Sequence, residues 1–238
     1  MTGVGLVVAA LAVGIGACVQ GAVGFGFALF AAPLLVAVDA RLVPGPVVML
    51  SLLLNLAVAH RERQALDFHG VRWAIVGGFP GAALGALAVA ALSPRALTIS
   101  FATLVLAAVA VSASGRHLAP TSRTLLAAGA MSGFMNTAAS IGGPPMALVY
   151  QRSSGAQLRA TLAGFFVIGS CVSLAGLAAF GELAGKEALS GLVLVPALAA
   201  GLALSRPAAR RLDAGHTRTA VLAVSALSAG FLLVRAAL

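Results

Sequence analysis

Long apolar runs, separated by short stretches that carry arginine, dominate this chain. They cover residues 2–38, 44–60, 71–92, 95–114, 121–151, 158–180, 187–205 and 218–237. Most are about 20 residues long, the length of one helical crossing of a bilayer. The alternating ten-residue signal of a membrane β-barrel is missing. The runs 2–38 and 121–151 are too long for one crossing. The first would make a helix about 55 Å long at 1.5 Å per residue, against a hydrocarbon core of about 30 Å. Each is interrupted near its middle by glycine, at Gly21-Ala22-Val23-Gly24-Phe25-Gly26 and at Ile141-Gly142-Gly143-Pro144-Pro145. The pattern predicts an all-α polytopic membrane protein in which each long run forms a broken or re-entrant helix.

The two interruptions recur in register. Gly16, Gly24 and Gly26 match Gly133, Ile141 and Gly143 at a shift of 117. Arg41 matches Arg159 at 118, and Pro80 matches Pro196 at 116. The runs therefore read as two four-segment repeats, residues 1–117 and 118–238, joined by the polar stretch Ser114 to Pro120. A pair of Gly/Pro-interrupted segments at matching places in two halves points to the binding site of a transporter.

Charge separates two topologies. If all eight runs crossed once, Lys and Arg would divide seven against eight, which selects no orientation. If each broken run enters and leaves on one side, the division becomes eleven against four. The sparse side then keeps Arg41, Arg95, Lys186 and Arg235. Positive-inside logic favours the second arrangement. Each half then has an odd number of crossings, so the repeats are expected to be inverted.

Composition agrees. Hydrophobic residues make up 61% and charged residues 9%, where a soluble domain carries about 25% charged residues. The net charge of +9 arises from arginines between apolar spans, which excludes the basic face of a nucleic-acid binder. Cys18 and Cys171 lie in apolar runs and indicate no disulfide framework. No nucleotide-binding motif occurs. Asp39, Glu62, Asp67, Glu182, Glu187 and Asp213 all fall at loops or span ends, which disfavours a cation substrate and a carboxylate proton relay. An intramembrane enzyme would need a catalytic or metal-binding cluster at membrane depth, and the sequence offers none. No catalytic residue, metal or cofactor is expected.

The candidate chemistry lies at the breaks. A helix restarts after each one, and its free N–H groups and positive dipole end favour an anion. Pro144 and Pro145 suit a first helical turn. Glycine lets an oxyanion approach the backbone closely. The candidate substrate-binding residues are Gln20, Gly24, Gly26, Asn136, Thr137, Gly142, Gly143 and Arg159. The glycines also suit close helix packing, and Arg159 also suits an anchor reaching for lipid phosphate. Ser51, Asn55, Ser170 and Ser173 are secondary polar candidates or interhelical hydrogen bonders. Gly77, Gly81 and Gly85 suit packing within the chain or a homodimer face.

The residues at the breaks, followed by Pro33-Leu34-Leu35 in the first half and by Arg159-Ala160-Thr161 and Phe165-Phe166 in the second, resemble the TauE/SafE sulfite exporter family. The resemblance spans nearly the whole chain. It implies a multi-pass protein of the bacterial cytoplasmic (inner) membrane that moves a small sulfur-containing anion, such as sulfite, thiosulfate or an organosulfonate. Export is the expected direction. An uptake permease for a related anion and a non-transporting membrane assembly factor remain the alternatives.

Overall fold

The computed structural model describes residues 3–91, 118–139, 142–179 and 191–237, with scattered positions between 93 and 110. The expected segment 95–114 falls largely outside the described residues, as do Arg116, Ser140, Ile141, Glu182, Lys186 and Glu187. Among the described residues there are nine α-helices and no strand. They are α1 (Gly3–Val23), α2 (Phe27–Val38), α3 (Gly45–Arg61), α4 (Phe68–Ala91), α5 (Ser122–Ala139), α6 (Gly143–Tyr150), α7 (Gly155–Ala179), α8 (Val195–Asp213) and α9 (Thr217–Ala237). By length and composition α1, α7 and the Phe68–Ala88 part of α4 can cross a membrane.

Both long runs are broken where glycine interrupts them, and the chain folds back rather than kinking. Gly24 and Gly26 have φ of 103° and 114°, a region that side chains with a Cβ rarely adopt. The reversal brings α2 against α1: a Cβ on Gly16 would lie 3.0 Å from the Phe27 carbonyl oxygen. The second reversal brings Gly142 beside α5, where the Ser132 hydroxyl donates to the Gly142 carbonyl. Both ends of this second run meet the start of α4. Ser122 lies 3.1 Å from the His69 ring, and the Tyr150 hydroxyl donates to Asp67 at 2.6 Å. The returning helices are short. The 12 residues of α2 and 8 of α6 give about 18 and 12 Å of helix.

Three helix pairings are the most extensive: α4 with α5, α1 with α8, and α3 with α7. The first two interlock through glycine. A Cβ on Gly77 or Gly81 would lie 2.0 Å from the carbonyl oxygen of Leu126 or Ala130, and one on Gly201 2.1 Å from that of Gly14. The stripe Gly77, Gly81 and Gly85 is thus taken up by α5 within the chain. Because the obstructing atoms are backbone, they cannot swing aside. Gly81→Val is expected to destabilise the fold by about 3 kcal/mol, the upper part of the overpacking range. A thermal melt of the detergent-purified variant at the wild-type midpoint would contradict this packing.

Two buried apolar clusters flank the breaks. One joins Phe25 to Met146, Tyr150, Leu158 and Leu162. The other joins Ala9, Val13 and Ala17 of α1 to Phe27, Leu35, Leu50 and Leu54. The first of them holds the two reversals against each other.

Candidate functional site

The two breaks touch. A Cβ on Gly143 would lie 2.5–2.6 Å from side-chain carbons of Phe25, so the first residue of α6 is the floor on which Phe25 of the first break rests. A crevice of about 60 Å³ opens beside this contact, lined by Gln20, Gly26, Ser51, Asn136, Gly142 and Gly143 among others. It continues into a vestibule of about 780 Å³. The two share Ala28, Ser51, Asn136 and Phe166. The vestibule runs between the stretch from Val43 to Ser51, at and just before the start of α3, and Phe166 to Leu177 of α7, and Thr137 lines it.

Gln20 reaches the crevice through a chain of hydrogen bonds. The Phe27 N–H donates to Gln20 Oε1 at 3.0 Å. Gln20 Nε2 donates to Asn55 Oδ1 at 2.7 Å. Asn55 Nδ2 donates to the Ser51 carbonyl at 2.8 Å and to its hydroxyl oxygen at 3.2 Å. Gln20 therefore caps one N–H of the restarting α2, in addition to forming part of the crevice wall. The next two residues of that turn, Ala28 and Leu29, line the crevice, and a first helical turn leaves such N–H groups without intrahelical partners. In α6 Pro144 and Pro145 carry no N–H, so Gly143 is the residue of that turn that brings a backbone donor to the wall.

Arg159 and Gly24 lie elsewhere. A Cβ on Gly24 would meet Leu158 Cδ2 at 2.7 Å and Arg159 Cα at 3.3 Å. Arg159 is buried, and it lines neither the crevice nor the vestibule. Its guanidinium donates twice to Asp213 at 2.9 Å, to Glu62 at 3.2 Å and to the Ala22 carbonyl at 3.3 Å. Arg61 donates to the Gly21 carbonyl at 2.6 Å, to Glu62 at 3.1 Å and to the Ser205 hydroxyl at 2.9 Å. Two guanidinium groups thus satisfy carbonyls in the last turn of α1, which α1 itself leaves open. They also tie the ends of α3 and α8 and the start of α7 to that turn. Asp67 adds a second tie, taking the Tyr150 hydroxyl while its own N–H donates to Thr161 Oγ1 at 3.2 Å.

The opposite end of α3 is plainer. Arg41 there is exposed and pairs with Asp39 at 3.0 Å. Hydrogen bonds from Arg41 hold the Asp39 carboxyl below its ordinary range, so that pair stays charged into mildly acid solution.

Of the eight residues the sequence proposed, the structure places Gln20, Gly26, Asn136, Gly142 and Gly143 around one crevice and Thr137 in its vestibule, with Gly24 and Arg159 behind it. The sequence did not single out Phe25 and Phe166 as lining residues, or Glu62 and Asp213 as partners of Arg159. A signal for those partners existed: few acids are available to an arginine entering a span, and two of them border spans that pack on it.

No curated protein and no solved structure matches this chain. The family model described as sulfite exporter TauE/SafE matches residues 8–232. With that match covering nearly its whole length, the chain belongs to the TauE/SafE sulfite exporter family and is a multi-pass membrane transporter of sulfur-containing anions.

Proposed function

We propose that this protein exports sulfite or an organosulfonate across the bacterial cytoplasmic membrane, by alternating access around the crevice between the breaks. The observation that carries this reading is the seating of Phe25 on Gly143, which puts both interruptions at one point. Two restarting helices then offer N–H groups to one anion. Near Gly26, Gly142 and Gly143 the backbone is the ligand, and Gln20, Asn136 and Thr137 add amide and hydroxyl donors. Arg159 and Gly24 serve the closed end rather than the anion.

The two halves, 1–117 and 118–238, are read as inverted repeats. The helix pairings support this: the third segment of each half packs on the first of the other, and the two second segments pack together. Positive-inside logic puts the Arg61 and Arg159 end in the cytoplasm. The vestibule then opens outward, while the ion pairs of Arg159 close the inner end. An inside-negative potential favours outward movement of an anion by about 2.3 kcal/mol per charge per 100 mV.

Purified protein in liposomes under a set potential provides the test, with sulfite, thiosulfate, sulfoacetate and sulfate as substrates. Saturable, voltage-dependent flux of one sulfur anion is expected. Absence of flux and binding for all four would remove this reading in favour of another, carboxylate-like substrate or a non-transporting role.

A further inference from the structure

We infer that Ser51 is a specificity-determining residue, whose hydroxyl is held as a hydrogen-bond donor toward an anion at the mouth of the crevice. The inference rests on the proposed anion site and adds a residue to it. It comes from the direction of the hydrogen-bond chain. At one end stands the Phe27 N–H, which can only donate, so the atom of Gln20 that meets it is the oxygen Oε1. The nitrogen of Gln20 then faces Asn55, which must present its oxygen. The nitrogen of Asn55 is left to face Ser51, whose backbone carbonyl can only accept. The chain is therefore anchored by a backbone donor at one end and a backbone acceptor at the other, and neither amide can flip.

The consequence falls on Ser51. Its hydroxyl oxygen accepts from Asn55 Nδ2 at 3.2 Å, which commits one of its two lone pairs on the protein side. Its proton must point elsewhere, and among the described residues it meets no acceptor. Ser51 lines both the crevice and the vestibule, so the proton has open space where the two join. Asn136 lines the same junction. The arrangement presents an O–H to an incoming oxyanion and leaves the hydroxyl only one of its two lone pairs for a cation or a donor-rich neutral solute. A serine in a helix commonly gives its proton to a carbonyl one turn back, and no such bond forms here.

The test is sulfite flux in liposomes, comparing Ser51→Ala, Ser51→Thr and Ser51→Cys with wild type. Loss of one hydrogen bond to a charged group corresponds to roughly a tenfold rise in KM, with the maximal rate within about twofold. Threonine keeps the donor and is expected to restore KM, while cysteine, a weak donor of similar size, falls between. If wild type transports sulfite and Ser51→Ala keeps its KM, the proposal fails while the transport reading stands. If KM rises equally in all three variants, the effect is one of shape and the donor role fails. If wild type neither moves nor binds any sulfur anion, the transport reading fails, and this proposal with it.

Discussion

Replacing Gly143 with valine is expected to abolish anion flux while the protein still inserts in the membrane. The reason is local. A first carbon on Gly143 would stand 2.5–2.6 Å from three side-chain atoms of Phe25, where carbon atoms in good contact are about 3.5–4.0 Å apart. Phe25 has little room to withdraw. It is buried among the apolar residues of one cluster, and glycines of positive φ flank it. Gly24 in turn rests on Leu158 and Arg159. The two methyl groups of valine would therefore push the breaks apart and occupy the crevice where both helix starts converge. Insertion should survive, because the change adds apolar bulk and leaves the long spans alone. Gly143→Ala makes the same contact with less volume and should retain partial flux. Surface-exposed protein at wild-type abundance with no sulfite flux is the expected result. Wild-type flux and KM in the valine variant would mean that the breaks do not form the substrate path.

The breaks were legible because bilayer length and glycine are one-dimensional signals: a run of 37 apolar residues cannot cross once. The polar residues beside them were also readable as a group. What each one does was not. Gln20, read as a donor to an anion, also holds the Phe27 N–H with its oxygen and Asn55, 35 positions away, with its nitrogen. Arg159 was expected either near the anion or at lipid phosphate. Its partners are Glu62 and Asp213, 97 and 54 positions away. Helices that are apolar on most faces leave no periodic stripe to say which neighbour each will meet. The acidic residues were read only as lying at loops or span ends, with no partner assigned. Their position along the chain was right, but Glu62 and Asp213 turn toward a buried arginine that only the packing of α3, α7 and α8 brings within reach.

A loss of stability as large as that of Gly81→Val is expected from Arg159→Ala. Arg159 has a side chain only 3% exposed, while its partners Glu62 and Asp213 remain 18% and 35% exposed. Removing the cation takes both Arg159 bonds from Asp213, leaves Glu62 with Arg61, and takes a donor from the Ala22 carbonyl. Breaking a buried pair by deleting one partner costs about 3–5 kcal/mol. The lower end applies here, because Glu62 keeps Arg61 and the Asp213 carboxylate still reaches solvent. A loss of about 3 kcal/mol corresponds to a drop on the order of 10 °C in the unfolding midpoint for a chain of this size. Arg159→Lys keeps the charge but cannot make the paired bonds to both Asp213 oxygens, so it should fall between alanine and wild type. The functional effect should differ in kind from that of Gly143→Val. In the proposed cycle these ion pairs close the inner end while the vestibule is open outward. Weakening them should let the inner end part too readily, giving raised anion leak that does not saturate, even when the crevice is intact. Detergent melts and liposome flux on the same preparations separate the two effects. An alanine variant with an unchanged melt and a saturable wild-type flux would mean that Arg159 neither holds the helix ends together nor closes the path.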